Sequence, residues 1–501
     1  MWPHGADWLF EAAAETYLPF VAAARALDAE GVPWKATVGL TPVLCEQLRD
    51  PRFARGFRRY VKHRLAAASR DAREFARDGH LGEALARAWR DHYGQALALF
   101  EALGGDVVAP FAAWAREGKV EAIASAATHG FLPLMINANA ARAQIHIAAN
   151  HYEKHLGRRP RGIWLAECGY TPGVEKYIKE AGINYFLTDT HGILFGTPRP
   201  RYGVFAPVYT PESNVAVFGR DRESSKQVWS AKEGYPGDFD YRDFYRDIGF
   251  DLDYEYIRPF LHADGNRIHT GIKYHRITGP TDHKEPYRPA AARERAAEHA
   301  GNFMFNRERQ IEHLSGMLGI KPIIVSPYDA ELFGHWWFEG PEWIEFLLRK
   351  LHFDQETIAP ITPSEYLQRH PRLQVLQPSM SSWGYKGYNE FWLEGSNDWI
   401  YPHLHWAAGE IEARGRLDAT GLAKRALDQA ARELLLAQAS DWAFMMSSGA
   451  TSEYGVMRTK THVMRLRRLK EQIEAWLPGC CESGPDPALH LIPSSSVGRH
   501  R

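Results

Sequence analysis

The sequence predicts an α/β fold: a parallel sheet with helices packed outside it. Three observations carry this. Short apolar segments of strand type alternate with segments of helical period. Two of those strand-type segments, "GIWLAE" and "KPIIVS", each deliver a carboxylate at or just past the C-terminal end. At 501 residues the chain can bury a large core and divide into two or three structural units.

Taken in order, the chain reads as helical after Trp8. "VPWKATVGLTPVL" is a strand ending near Gly39, with Thr41-Pro42 opening the next helix. Residues 52–118 are rich in Ala, Arg, Glu and Leu at helical period, with Gly104-Gly105 as punctuation, and predict an inserted helical subdomain. "VEAIASAATHG" precedes a helix through "MINANAARAQIHIAANHYEKHLG"; then come the strand "GIWLAE", the helix "GVEKYIKEAG" and the strand "NYFLTDT". Residues 190–290 are full of Gly, Pro, Tyr and Asp, and an irregular stretch that long is usually functional rather than connective. A helix over 291–315 leads into the strand "KPIIVS". Helical patterns then dominate, which predicts a catalytic part over 1–395, a C-terminal helical domain over 396–480 and a disordered tail over 482–501.

Composition excludes several function classes. Sixty basic against 61 acidic residues leave no concentrated positive charge for a nucleic-acid backbone. Arg-rich runs such as "RGFRRYVKHR" and "RLRRLK" have helical period and read as solvated helix faces. No apolar run approaches the roughly 20 residues of a membrane helix, and the acidic start "MWPHGADWLFEAAAETYLPF" does not resemble a signal peptide. Cys45, Cys168, Cys480 and Cys481 have neither metal-ligand nor disulfide-framework spacing, so a cytoplasmic location is expected. The 16 Trp and 22 Tyr are unusual; flat aromatic faces fill cores, and they also stack on the C–H faces of sugar rings.

The two acids suggest chemistry. "GIWLAECGY" places Glu167, and "PIIVSPYDAE" places Asp329, where the βα loops of an α/β barrel converge. A separation of about 5 Å would suit the nucleophile and general acid of a retaining glycosidase. Taken singly, an acid at a strand end is as compatible with a cap or an Arg partner; the pair, each beside aromatic-rich loops, favours function. His151 and His155 in "HYEKH" share a helix face, but the Glu is misplaced for a zinc arrangement. His269, His275 and His283 match no metal motif, and no P-loop, dinucleotide fingerprint or nucleophile elbow occurs.

"WLAECGY" and "SPYDAELFGHWWFEGPEW" resemble the nucleophile and acid/base regions of glycoside hydrolase family 57, most closely its α-glucan branching enzymes. "WPHGADWLFEAAAETYLP", "THGFLPL", "SSWGYKGYNEFWL" and "SDWAFMMSSG" agree, in order, over nearly the whole chain. The resemblance implies an incomplete (β/α)7 TIM-like barrel with a helical insert and a C-terminal helical domain, and no metal or organic cofactor. It implies Glu167 as nucleophile and Asp329 as acid/base. It further implies that His129, Trp383, Trp392 and Asp441 line the donor and acceptor sites. Arg246 and Gly265 are implied as substrate contacts, and Tyr235 as the tyrosine of a mobile loop over the cleft. Trp336 and Trp337 fit either the wall of that cleft or core packing.

Two departures stand out. Family members carry a His-rich strand before the "WP" segment, whereas this sequence starts at Met1-Trp2-Pro3, for which a misplaced start site is the expected explanation. Ala450 stands where related enzymes carry a Gln. The implied reaction is a double displacement on an α-1,4-glucan, with an α-1,6 branch formed if a glucan 6-hydroxyl is the acceptor and hydrolysis if water is. An α-amylase, a 4-α-glucanotransferase, an impaired glucan-binding homologue and, more remotely, a metal-dependent deacetylase are the alternatives. The expected partner is an α-glucan, with neither nucleic acid nor membrane, and a monomer or weak oligomer.

Overall fold

The structure is a computed structural model that describes residues 5–77, 82–230, 233–417, 419–449 and 451–476. The expectations for Met1-Trp2-Pro3, Ala450, Cys480, Cys481 and the 482–501 tail lie outside the described residues. Two compact units are drawn from alternating stretches of chain: Met1–Ala36, Glu46–Glu121 and Asp221–Thr362 in one, and Thr37–Cys45, Ala122–Arg220 and Pro363–Arg501 in the other.

The second unit is built around a sheet of β1 (Ala36–Gly39), β2 (Val120–Ser125), β3 (Gly162–Trp164), β4 (Tyr185–Thr188), β5 (Val208–Tyr209) and β6 (Ala216–Gly219), in the order β1-β2-β3-β4-β6-β5. The pairs β2-β3, β3-β4 and β4-β6 are parallel, registered through Ala124↔Ile163, Ile163↔Phe186 and Phe186↔Val217. Short β5 pairs antiparallel to β6. Every residue of β2, β4 and β6 is buried, as expected for parallel strands covered on both faces. Helix Ala138–Leu156 starts at Asn137, whose side chain accepts the Ala140 N–H, and ends at Gly157 with φ 72°. Helices Ile400–Arg414, Gly421–Ala437, Ser440–Ser448 and Ser452–Trp476 form its C-terminal part.

The first unit is mainly helical. Ala6–Ala12, a wider π turn Ala13–Tyr17 and Leu18–Ala29 follow one another without a break. Pro51–Arg77 and Glu83–Ala102 pack together, as do Pro289–Leu318 and Gly340–Phe353. Gly334, at φ 122°, lies so close to the π turn that a Cβ there would sit 1.8 Å from the Glu15 carbonyl oxygen. Only glycine fits.

Two strand expectations differ from what forms. "KPIIVS" joins no sheet: residues 321–329 carry no strand. Pro322 and Pro327 lack the N–H a ladder needs. The segment is instead pinned to the start of helix Arg222–Trp229. Val325 O accepts from Asp221 N at 2.8 Å, and Tyr328 Oη donates to Ser224 O at 2.8 Å. Conversely β6 lies inside the stretch read as irregular. Four apolar residues among turns carry little signal, and the ladder from β4 supplies the bonds that make them a strand.

Candidate active site

Several polar side chains of the second unit collect just past the C-terminal ends of its parallel strands, the end at which the sites of α/β barrels lie. Beyond β2 comes His129, beyond β3 Glu167, beyond β4 Asp189 and His191, and beyond β6 Arg220. His129, Glu167 and Cys168 all have left-handed backbone, with φ of 60°, 61° and 54°. Non-glycine residues persist in that region only where surrounding contacts hold them.

Those contacts surround Glu167, whose side chain is 14 % exposed. Ser440 Oγ lies 2.8 Å from its Oε1, and Trp383 Nε1 donates to its Oε2 at 3.0 Å. The Trp383 backbone N–H donates to the Glu167 carbonyl at 3.1 Å, which fixes both ends of the residue to one loop. His129 Nδ1 lies 2.9 Å from Ser440 Oγ, 3.3 Å from Asp441 Oδ2 and 3.8 Å from Glu167 Oε1. Desolvation works to raise the Asp441 carboxyl, but the charge and hydrogen bond of His129 outweigh it and hold the group below its usual range. Trp383 is half-buried, with its ring 4.8 Å from that of Trp164. Trp392 is a packing residue at 1 % exposure, stacked on Phe131 at 4.3 Å. Beside Ser440 opens a cleft lined by Phe131, Leu134, Trp392, Tyr401 and His405.

A second polar group borders Trp383. Arg220 Nη1 is 3.5 Å from Asp189 Oδ2, and its guanidinium carbon lies 6.0 Å from the centre of the Trp383 ring. The hydrogen bond with Asp189 raises the His191 pKa, and its Nε2 lies 2.7 Å from the Gly387 carbonyl.

In the first unit Asp329 is partly buried and precedes the tight turn Ala330–Leu332. The turn is anchored by Tyr17, whose hydroxyl donates to Glu331 Oε1, and by Thr16 Oγ1, which accepts the His335 N–H at 3.1 Å. Trp337 is 1 % exposed and packs in the core, whereas Trp336 is 40 % exposed, with its ring 6.2 Å from Trp229. Tyr235 is buried, donates to Asn302 Oδ1 at 2.6 Å and stacks on His299; burial pushes its hydroxyl up to about 12. Arg246 pairs with Asp251 at 2.8 Å. Gly265, at φ 75°, accepts the Tyr254 hydroxyl at 2.8 Å through its carbonyl.

Glu11, Glu15 and His335 of this unit bring potential ligand atoms within 4.8 Å of one another. Positive charge is already there: Lys273 Nζ lies 3.6 Å from Glu11 and Arg242 Nη1 donates to Glu15 at 2.8 Å. The trio therefore reads as a charge-compensated core rather than a metal centre. His151 and His155 do share a helix face, with ring centres 4.2 Å apart.

Residues 3–377 match the profile of glycosyl hydrolase family 57. The chain belongs to that family. Residues 403–477 match a second profile, described as the C-terminal region of 1,4-alpha-glucan branching enzymes. The 1,4-alpha-glucan branching enzyme of Thermococcus kodakarensis is 34 % identical over 506 aligned residues, covering 94 % of this chain and 71 % of that protein. The solved α-amylase AmyC of Thermotoga maritima superposes with a TM-score of 0.87 at 37 % identity, over 96 % of this chain and 90 % of that one. The family 57 branching enzyme of Pyrococcus horikoshii does so at 0.83 and 31 %, over 97 % and 95 %. The fold class is thus that family's incomplete (β/α)7 barrel type, to which the described residues contribute the six-stranded sheet.

The structure therefore gathers His129, Glu167, Trp383 and Asp441 within one unit, while Asp329, Tyr235, Arg246 and Gly265 belong to the other. Sequence reasoning missed Ser440, Asp189, His191 and Arg220. The last three follow strand ends in "YFLTDTH" and "AVFGRD", and the rule that found Glu167 would have found them. Ser440 carries no such signal.

Proposed function

We propose that this family 57 chain is a 1,4-α-glucan branching enzyme acting by retaining double displacement. The observation that carries the reading is the setting of Glu167: a carboxylate at a strand end whose two oxygens each accept from one neutral donor, Ser440 Oγ and Trp383 Nε1. Such a group stays available to attack. Glu167 forms a bond to the anomeric carbon as the α-1,4 bond breaks, and Asp329 gives its proton to the departing glycosidic oxygen. Asp329 then takes the proton of the incoming 6-hydroxyl as that oxygen displaces Glu167, which leaves an α-1,6 link and restores both groups.

In this reading His129, Trp383, Trp392 and Asp441 line the donor and acceptor sites around the nucleophile. Substrate contacts by Arg246 and Gly265 belong to the reading as well. Tyr235 belongs to it as the tyrosine of a loop over the cleft. Residues 1–395 are the catalytic part and 396–480 the helical domain. Among the described residues no helix is long and apolar enough to cross a membrane, and a cytoplasmic site of action is proposed with the reading. So is a monomeric or weakly associated state.

Hydrolysis is the second reading, favoured by the likeness to AmyC. One assay separates the two: amylose is incubated with the protein, the product is debranched, and new α-1,6 links are counted against reducing ends. Branches in excess of reducing ends support transfer. Reducing ends without branches would make the chain an amylase.

A further inference from the structure

We propose that Ser440, from the C-terminal helical region, is a positioning residue for the nucleophile. The inference rests on the reading of Glu167 as that nucleophile. An ionised carboxylate only accepts hydrogen bonds, so at 2.8 Å the Ser440 hydroxyl must donate its single proton to Glu167 Oε1. Its oxygen is then left as an acceptor, and His129 Nδ1 at 2.9 Å is the donor that meets it. The chain of donors runs His129 to Ser440 to Glu167, and it assigns the His129 proton to Nδ1, where Asp441 Oδ2 at 3.3 Å also faces it.

Ser440 is well placed to act this way. It is 2 % exposed, and its backbone N–H donates to the His129 carbonyl at 2.9 Å, beside the bridge between Gly130 and Ala439. The main chain thus fixes the serine independently of its hydroxyl. With Trp383 Nε1 on Oε2, the carboxylate is held at both oxygens, so rotation of its plane breaks at least one hydrogen bond. A nucleophile oriented before substrate arrives loses less freedom in the transition state.

The test compares two donors. On amylose, Ser440→Ala is expected to lower kcat about 10- to 100-fold, the range that loss of one hydrogen bond to a charged group corresponds to, with KM little changed. On an α-maltosyl fluoride, whose leaving group needs no protonation, the same variant is expected to lose the same factor, because the defect lies in the attacking group. Ser440→Thr, which keeps a hydroxyl, recovers at least part of the loss. If Ser440→Ala does not fold, Ser440→Cys keeps the shape with a weaker donor and carries the same expectation. Wild-type kcat in either variant, a loss confined to KM, or a loss on amylose that vanishes with the fluoride would overturn the proposal. Glu167→Gln is measured beside them: its inactivity on both donors upholds the nucleophile, and its activity would remove that reading whatever Ser440 does.

Discussion

Glu167 and Glu15 are carboxylates of one chain in opposite settings. Glu167 is partly exposed and takes one hydrogen bond at each oxygen from uncharged donors, Ser440 and Trp383. Glu15 is wholly buried and bonded at 2.8 Å to Arg242, itself without exposure. Around Glu15 lie Glu11, Lys273 and His335, and burial pushes the Glu15 carboxyl up to about 7 against the pull of Arg242. The difference teaches how a protein separates work from support. A cation bonded to a carboxylate neutralises it and ties it down, which suits a core. Neutral donors orient the group and leave its charge for a reaction.

The largest expected effect breaks the comparison on the side proposed to do the work. With Glu167 as the proposed nucleophile, Glu167→Gln should lower activity on amylose by on the order of 10⁴-fold or more, while its thermal unfolding matches wild type. Arg242→Met acts on the other side. It strands a buried Glu15 and should cost about 3–5 kcal/mol in urea unfolding. Adding Glu15→Leu to that variant should recover part of the cost, since an apolar pair replaces an unpaired charge. No recovery would mean that Arg242 matters mainly through its bond to the His335 carbonyl at 3.0 Å.

A smaller effect sharpens the electrostatics of the same core. Burial lowers His335 to about 4, from an ordinary value of 6.5, so the fold holds it neutral. Its contribution to stability is therefore complete above pH 6.5 and lost as pH falls toward 4. The fall from 6.5 to about 4 corresponds to about 3–4 kcal/mol over the whole range. Between pH 7.5 and pH 4.5 the raised Glu15 carboxyl works in the opposite direction, so the loss is read in urea unfolding as the difference between wild type and His335→Asn. The smallest effect concerns the turn after Asp329. Tyr17→Phe removes the donor to Glu331 and should cost about 1–2 kcal/mol of stability, read as a lowered unfolding midpoint.

Much of this was legible beforehand. Alternating apolar runs and helical periods pointed to the parallel sheet, because strands buried on both faces must be apolar throughout. Glu167 and its neighbours His129, Trp383 and Asp441 were legible through local motifs. The strand expected at "KPIIVS" was not formed, because an apolar run shows that a segment is buried and not whether a partner ladder exists. β6 was overlooked for the converse reason: four residues become a strand only when β4 lies alongside.

By itself, the sequence determined which segments had to be buried and which acid sits past β3, since those are properties of neighbours along the chain. Only the tertiary structure decided that Ser440, 273 residues after Glu167, donates to it. It alone decided too that Glu15, 227 residues before Arg242, accepts a hydrogen bond from it. Hydrogen bonds and ion pairs depend on separation in space, and for residues hundreds of positions apart nothing in the local pattern specifies that separation.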